Sequence, residues 1–295
     1  MQKCCSIAVG VLYKNLTIIQ MQTGPVSLPH PGKLLIIEPL DYPNPYDYHH
    51  PHRHDYFEII LVKSGNGLQY IDFKPHAIQQ GQVFTVYPGQ VHLMKRDTAQ
   101  GMLIQFRKDI FEFIHPIKHY HLYFPDPQFD FDTQAFLELY NFAENILLLL
   151  QKEELSPLSV YKAYSYLQII LISLTEQYSQ KSNLQDSHLI VQFLSLVTQF
   201  ITSKKKVGDY CSLLGCSPDK LNNACKTGLG KSPLKLIHEE TILEIRRLIL
   251  LNQLSLKEIA YVMNFDSQAN FSSFIKTHTG LTPSGLQASI AVTYM

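Results

Sequence analysis

The fold of this chain is decided by a stretch near its carboxyl end. Residues 207–227 read VGDYCSLLGCSPDKLNNACKT, with two short apolar-periodic segments on either side of a Gly-Cys pair. Ser217 is placed to cap the second segment, and Pro218 suits a first helical turn because that position needs no backbone N–H. The stretch predicts a helix over Val207–Leu214, a tight turn, and a second helix ending near Thr227.

The same plan recurs further along the chain. Ser255 and Glu258 have the spacing of a capping box, which predicts the start of a short helix. Asn264 follows at a turn where a left-handed backbone suits asparagine, and Asp266 is expected to cap the next helix, which ends at Gly280. Helix, tight turn and helix, present twice, is the helix-turn-helix plan.

The segment between the two units predicts one continuous helix over Pro233–Asn252. A helix of about 20 residues is roughly 30 Å long. One turn of B-DNA spans about 34 Å. Two reading helices held that far apart fit successive major grooves on one face of the duplex, so the spacing favours a DNA-binding role. A helical bundle with no role at nucleic acid is the alternative.

One set of residues spans both units at a characteristic spacing. It comprises Leu214-Gly-Cys-Ser-Pro218, Leu221, Gly230-Lys-Ser-Pro233, Ile259-Ala260, Phe265, Phe271, Phe274 and Gly280-Leu-Thr-Pro283. These residues resemble the DNA-binding domain of the AraC/XylS family of transcription regulators. The sequence departs from the family pattern at Asn223, Thr241 and Ser273, where arginine is common, and at Asn264, where glycine is usual. Fewer cations weaken the sequence-independent attraction to phosphate.

The outward positions of the second helix in each unit are the candidate DNA contacts. Asparagine and glutamine read adenine through two hydrogen bonds, and lysine reaches guanine or phosphate. For each residue taken alone, a solvated surface position is an equal alternative. The candidates are Lys220, Asn222, Asn223 and Lys226 in the first unit and Gln268, Asn270, Ser272, Ser273 and Lys276 in the second.

The amino-terminal part of the chain reads as short strands separated by turn residues. β-Branched and aromatic runs punctuated by glycine and proline at short intervals predict an antiparallel barrel or sandwich. The predicted strands are Leu34–Glu38, Phe57–Lys63, Leu68–Phe73, Gln82–Tyr87 and Met102–Phe106.

A histidine-rich stretch lies among these strands. His52, His54 and Glu58, followed by Gly65, Gly81 and the run Pro88-Gly-Gln-Val-His92, resemble the two motifs of the cupin barrel. In metal-binding cupins the corresponding residues, here His52, His54, Glu58 and His92, hold one ion, and such a set suits Fe, Mn, Ni or Zn. Sensor cupins of AraC-type regulators often keep a similar stretch without metal. We therefore expect no cofactor, with a divalent metal as the alternative.

A barrel of this kind encloses one ligand-sized cavity, mostly apolar with a few placed polar groups. We expect a small organic effector to bind at its mouth. For each aromatic residue named here, a plain core position is the alternative. The residues predicted to form the pocket are His54, Tyr56, Glu58, Tyr70, Tyr87 and His92.

Two long helices rich in Leu, Ile and Tyr are predicted over Thr133–Glu153 and Pro157–Gln180. They serve either as a dimer interface or simply as a cap on the barrel. The sequence thus predicts an α+β protein with two domains: an N-terminal cupin-like barrel with a helical dimerisation segment, and an all-α domain with two helix-turn-helix units. The predicted divisions are an extension over 1–20, the barrel over 21–130, the helical pair and linker over 131–182, and the DNA-binding domain over 183–295.

Composition sets outer limits on function. The chain of 295 residues has 25 basic and 25 acidic side chains, but from residue 183 onward the basic ones outnumber the acidic ones by 11 to 8. A mildly basic half permits a polyanionic partner, and the low charge argues against a non-specific nucleoid protein. An odd number of cysteines, 5, fits a reducing compartment. With no long apolar run, no membrane span and a cytoplasmic location are expected.

These observations favour a sequence-specific transcription regulator and not an enzyme. The expected partners are double-stranded DNA, a small-molecule effector, a second copy of the chain in a homodimer, and RNA polymerase. The family resemblance implies an activator. The alternative is a metal-dependent cupin enzyme that carries a DNA-binding tail. The complete set of histidines and glutamate supports this alternative.

Overall fold

The computed structural model describes residues 26–28, 30, 32–41, 50–114, 126–152, 154–181 and 187–291. The extension predicted over residues 1–20 and the linker residues 182–186 lie outside these ranges. Among the described helices, none combines the length and the apolar character needed to cross a membrane.

The amino-terminal domain is built from two antiparallel sheets. The larger sheet has the order β1-β7-β2-β5-β8 and the smaller one β4-β3-β6. The strands are β1 (Leu35–Pro39), β2 (Phe57–Ser64), β3 (Gly67–Ile71), β4 (Lys74–Ile78), β5 (Gln82–Val86), β6 (His92–Lys95), β7 (Gln100–Phe106) and β8 (Gln128–Asp130).

The turn after β2 requires glycine for two reasons. Gly65 has a φ of 82°, and a Cβ on this residue would lie 2.0 Å from the carbonyl oxygen of Thr98. A side chain is excluded there by both the left-handed backbone and the close approach. The sequence-based turn at this point is confirmed, and it leads β2 of the larger sheet into β3 of the smaller one.

The strand predicted over Leu68–Phe73 is wrong at its end. β3 stops at Ile71, because Asp72 and Phe73 adopt φ angles of 45° and 72° and form the tight turn into β4. Positive φ at two successive positions is typical of a two-residue hairpin turn. Strands β4, β6 and β8 were not predicted, because they are short and carry a proline, lysines or acids that obscure the alternation of apolar and polar residues.

Two helices cover the larger sheet: α1 (Thr133–Leu150) and α2 (Pro157–Lys181). The predicted end of the first helix at Glu153 is three residues too late. Both helices contribute to the core of the sheet domain, with Ala143 and Leu167 fully buried against strand residues such as Ile59. They therefore cap the larger sheet. Their outer sides also leave large apolar residues exposed, namely Leu137, Leu148, Leu158, Tyr161 and Ile169.

The carboxyl-terminal domain is helical. Its helices are α3 (Ser187–Phe200), α4 (Val207–Leu214), α5 (Pro218–Leu229), α6 (Pro233–Leu251), α7 (Leu256–Val262), α8 (Gln268–Thr279) and α9 (Pro283–Ala291). The units α4–α5 and α7–α8 are the two helix-turn-helix units, and α6 links them. The predicted two-domain α+β class with two such units is confirmed.

Local capping chemistry explains most helix ends. Ser217 accepts a hydrogen bond from the Lys220 backbone N–H, and the capping box of Ser255 with Glu258 is present, as expected. Asn264 has the expected left-handed backbone, with a φ of 53°. The cap predicted at Asp266 is wrong: Ser267 accepts from the backbone N–H of Asn270, because α8 begins one residue later than the sequence suggested.

The linking helix α6 has 19 residues and a serine cap at Ser232, and it ends at Leu251, followed by Asn252 in a left-handed conformation. At 1.5 Å per residue it is about 28 Å long. It packs against both α5 and α8. One continuous helix therefore holds the second helix of each unit.

Candidate nucleic-acid interface and sensor site

The second helices of the two units, α5 and α8, present polar faces to solvent. None of the predicted DNA contacts is buried. Asn222 and Ser272 are half-buried, and the exposed residues are Lys220, Asn223, Lys226, Gln268, Asn270, Ser273 and Lys276. The opposite faces are anchored by buried side chains, Leu221 and Cys225 on one helix and Phe271 and Ile275 on the other.

Each unit has its own hydrophobic core, and the linking helix contributes to both. Ile237 of α6 packs with Tyr210 and Leu221 in the first unit. Ile245 and Leu248, further along the same helix, pack with residues of the second unit. Because the apolar sides of α5 and α8 are fixed on one helix, their polar faces are held in a set relation to each other.

Inside the sheet domain, His54, Glu58 and His92 form a buried cluster. Each offers one possible ligand atom, and these atoms lie within 4.8 Å of one another. His54 Nδ1 lies 2.6 Å from the carbonyl oxygen of Tyr56, to which it donates, while Nε2 is 3.9 Å from Glu58 Oε2. His92 Nδ1 is 3.4 Å from the side-chain nitrogen of Gln69 and 3.8 Å from Glu58 Oε1.

Burial shifts the ionisation of this cluster. It lowers the pKa of His54 to about 3, with a smaller contribution from His52, and lowers the pKa of His92 as well. It raises the pKa of Glu58 to about 7, although the Gln105 side chain donates to Oε2 at 3.1 Å and partly opposes the shift. Desolvation disfavours every charged form here. Both imidazoles are therefore neutral at neutral pH, which leaves nitrogen lone pairs available to a ligand.

Tyr56 of the predicted pocket and His52 of the predicted metal set adjoin the cluster. The Tyr56 ring stacks on His54 with 4.0 Å between centroids, and its hydroxyl accepts a hydrogen bond from Gln105 at 3.3 Å. The His52 ring lies 4.4 Å from that of His92 and 6.4 Å from that of His54.

The structure places Tyr70 and Tyr87 away from the cluster. Tyr70 lies under the Lys95 ammonium, 5.6 Å from the ring centroid. Tyr87 lines a cavity of about 490 Å³ between the sheet domain and the helical domain, together with Lys74, Gln90 and Leu236. Of the six predicted pocket residues, the structure therefore brings together His54, Tyr56, Glu58 and His92.

An ionic contact between the two domains was not found from the sequence. Arg247 of α6 is 1% exposed and holds Asp72 through two hydrogen bonds of 2.8 and 2.7 Å. It also reaches Glu240 at 3.2 Å and Glu244 at 3.3 Å. Arg53 of the sheet domain donates to Glu244 at 2.6 Å. An arginine on the apolar side of α6 could have indicated from the sequence that a buried acidic partner exists. Nothing in the sequence identified which residue that partner is.

Phe73 forms the second part of this contact. It is 8% exposed, joins the core of the second unit, and lies 4.3 Å below the Arg246 guanidinium. Its φ of 72° is unfavourable for a phenylalanine. The strain is offset by packing against residues such as Ile249 of the other domain. The turn that carries Asp72 and Phe73 is thus shaped to bind the linking helix.

Comparisons with known proteins agree with these features. A family model for the AraC-like ligand binding domain matches residues 35–194, more than half of the chain. A model for a helix-turn-helix domain matches residues 210–289. The chain belongs to the AraC family of transcription regulators, which is a non-enzymatic family, so the alternative of a cupin enzyme is not supported.

Individual relatives are distant. The chain is 22% identical over 245 residues to the HTH-type transcriptional activator RhaS of Pectobacterium carotovorum, covering 80% of this chain and 86% of RhaS. The structure of ToxT from Vibrio cholerae aligns at 14% identity and a TM-score of 0.40, covering 87% of this chain and 98% of ToxT. An AraC-type regulator structure from Chromobacterium violaceum aligns at 26% identity and a TM-score of 0.32, covering 35% of this chain and 92% of that regulator.

Proposed function

We propose that this AraC-family regulator is a sequence-specific activator of transcription controlled by a small-molecule effector in its cupin-like domain. The observation that carries the proposal is the pair of exposed polar faces on α5 and α8, fixed on one 19-residue helix. The linking helix is about 28 Å long, which is close to the repeat of about 34 Å between successive major grooves on one face of DNA.

Control by an effector is supported by the contact between the domains. The buried pair of Arg247 with Asp72, and that of Arg53 with Glu244, join the sheet domain to the helix that positions both reading helices. An effector shifts this arrangement only if it binds one docking state more tightly than another. The ligand-binding family model over residues 35–194 is consistent with an effector in this domain.

Activation is supported by the name of the curated relative, a transcriptional activator. An activator of this kind is expected to contact RNA polymerase while bound to DNA. In-vitro transcription with purified RNA polymerase measures this directly: added protein should raise transcript yield from a bound promoter, and a decrease would indicate a repressor.

Homodimerisation is proposed through the outer sides of α1 and α2. The exposed fractions of Leu148, Leu158 and Tyr161 on these sides are 64%, 73% and 53%, whereas the inner sides of both helices pack on the larger sheet. Exposed apolar residues in such a group are typical of an interface. Light scattering should give twice the chain mass for the wild type, and Leu158→Glu should yield the monomer mass.

DNA recognition is tested by a mobility-shift assay on a site selected in vitro from random DNA. Asn223→Ala and Gln268→Ala should each reduce the preference for the selected site over scrambled DNA, since a lost base contact costs about 1–3 kcal/mol of discrimination. Gln253→Ala is the matched control, because Gln253 is exposed in the same domain but lies outside both reading helices. Unchanged discrimination in both reading-helix variants would refute the assigned contacts.

Effector control is tested by following DNA affinity while candidate ligands are titrated. Genome-wide mapping of bound sites comes first, because the neighbouring genes narrow the candidates. A ligand that binds the protein tightly should change the DNA affinity by a measurable factor. Tight binding without any change in DNA affinity would leave an unregulated DNA-binding protein.

A further inference from the structure

The cluster of His54, Glu58 and His92, part of the predicted effector pocket, contains buried ring nitrogens that have no hydrogen-bond partner. All three side chains are buried, with at most 4% of each exposed. The Nε2 atoms of His54 and His92 are buried without a hydrogen-bond partner. Buried polar atoms are nearly always paired, so two unpaired ring nitrogens on residues of one buried cluster indicate a missing partner.

The ligand chemistry of the cluster identifies the class of that partner. Two imidazoles and one carboxylate, with possible ligand atoms within 4.8 Å of one another, form a set that binds divalent transition metals. Supporting hydrogen bonds already orient the ligands. His54 Nδ1 donates to the Tyr56 carbonyl oxygen, and Gln105 donates to Glu58. Such bonds fix the imidazole tautomer and the carboxylate orientation in metal sites.

The two histidines also lie beside the residues that hold the linking helix. Arg53, which precedes His54, donates to Glu244 of α6 at 2.6 Å. Val91, which precedes His92, donates its backbone N–H to Asp72 Oδ1 at 3.2 Å. The same Asp72 carboxylate holds Arg247 of α6. Each ligand histidine is therefore one residue from a group that supports an ion pair between the domains.

We propose that His54, Glu58 and His92 bind one divalent transition-metal ion, and that this ion fixes the two segments through which the sheet domain holds α6. The proposal adds a metal input to the proposed regulator. The metal proposal rests on the proposed function only where it concerns DNA binding. The ion site and the contact between the domains can both be measured without DNA.

The first experiment measures metal binding by the full chain. Protein stripped with a chelator is titrated with Zn²⁺ or Mn²⁺ by calorimetry, and bound metal is counted by mass spectrometry. One ion per chain is expected, with affinity reduced about tenfold or more in Glu58→Gln and in His92→Gln. His50→Ala is the control, because His50 is exposed in the same histidine-rich segment. A wild type that binds no ion, or an equal loss in His50→Ala, overturns the site.

Glu58→Gln is chosen because it keeps the size of the side chain and an oxygen that accepts from Gln105. Its thermal midpoint in the absence of metal shows whether it is folded. If it is not, the stoichiometry of the wild type and the matched His50→Ala result still decide the proposal.

The second experiment measures the effect on the domain contact by hydrogen exchange without DNA. Zn²⁺ should slow exchange in peptides from α6 in the wild type and leave Glu58→Gln unchanged. Bound metal with no change in α6 overturns the coupling. If the protein binds metal and α6 is protected, but the protein does not bind the selected DNA, the proposed function fails and the metal proposal stands. The failure of one is therefore distinguishable from the failure of the other.

Discussion

The two helix-turn-helix units share a plan but differ in what completes their cores. The core of the first unit is completed by Phe193 and Val197 of α3, from its own domain. The core of the second unit receives Phe73 from the sheet domain. The ion pairs to Arg53 and Asp72 are also made by the half of α6 that packs on the second unit. The sheet domain therefore contacts the helical domain chiefly through the second unit. The first two predictions below test this contact, and the last two compare other properties of the helical domain.

The largest effect is expected for Arg247→Ala. This change leaves Asp72, Glu240 and Glu244 near one another without their shared cation, and breaking a buried ion pair from one side costs about 3–5 kcal/mol. Denaturant unfolding of the full chain measures the loss. Lys231→Ala breaks the exposed pair with Glu239 and should cost about 1 kcal/mol or less. Equal losses in the two variants would mean that the Arg247 contact contributes little.

Phe73→Asn tests the apolar part of the same contact. It removes a ring buried in the second unit but supplies a residue that tolerates positive φ, so a net loss of about 2 kcal/mol is expected. Hydrogen exchange should accelerate in α7 and α8 and remain unchanged in α4 and α5. Phe113→Ala is the control, since Phe113 is 49% exposed in the sheet domain. Acceleration of equal size in both units would contradict the asymmetry.

The charge on the reading helices gives a smaller difference. The first unit presents Lys220 and Lys226, and the second presents Lys276. If each contacts one phosphate, removing both lysines of the first unit should lower the slope of log affinity against log salt by about 2, and removing Lys276 by about 1. Mobility shifts at several salt concentrations measure the slopes. Lys257→Ala, an exposed change on α7, should leave the slope unaltered, and a fall there would contradict the assignment.

The smallest effect concerns His238 of α6 and His278 of α8, whose rings are 4.6 Å apart. Burial lowers the pKa of His238, and His278 lowers it further. The unfolded chain therefore binds this proton more readily than the folded chain, and stability falls as pH decreases through about 6.5. Thermal melts from pH 7 to pH 5 should show a smaller decrease in His238→Gln than in the wild type. If the melting temperatures of the two proteins fall equally with pH, His238 does not contribute to the loss of stability in acid.

Features that depend on neighbouring residues were predictable. The caps at Ser217 and Ser255, the left-handed turn at Asn264 and the extent of the linking helix follow from contacts within a few residues. Their chemistry is local, so the sequence contains it directly. Even here the misplaced cap at Asp266 shows that adjacent candidates, such as Ser267, compete within one turn.

The strands were less predictable, because where a strand forms depends on pairing with segments that are distant in the sequence. The segment Lys74–Ile78 is mostly exposed and contains Pro75, yet it pairs with β3 across the turn at Asp72 and Phe73. That turn has no glycine, so its composition did not predict a hairpin. The backbone is stabilised there by contacts with the other domain, which no pattern within the strand reveals.

The sequence by itself determined the helix-turn-helix units, the linking helix between them and, through resemblance, the histidine and glutamate set of the sheet domain. Only the tertiary structure decided that Arg247 pairs with Asp72, 175 positions away, and that Phe73 enters the core of the second unit. Caps and apolar periodicity act over a few residues. The docking of two domains depends on surfaces that exist only after each has folded.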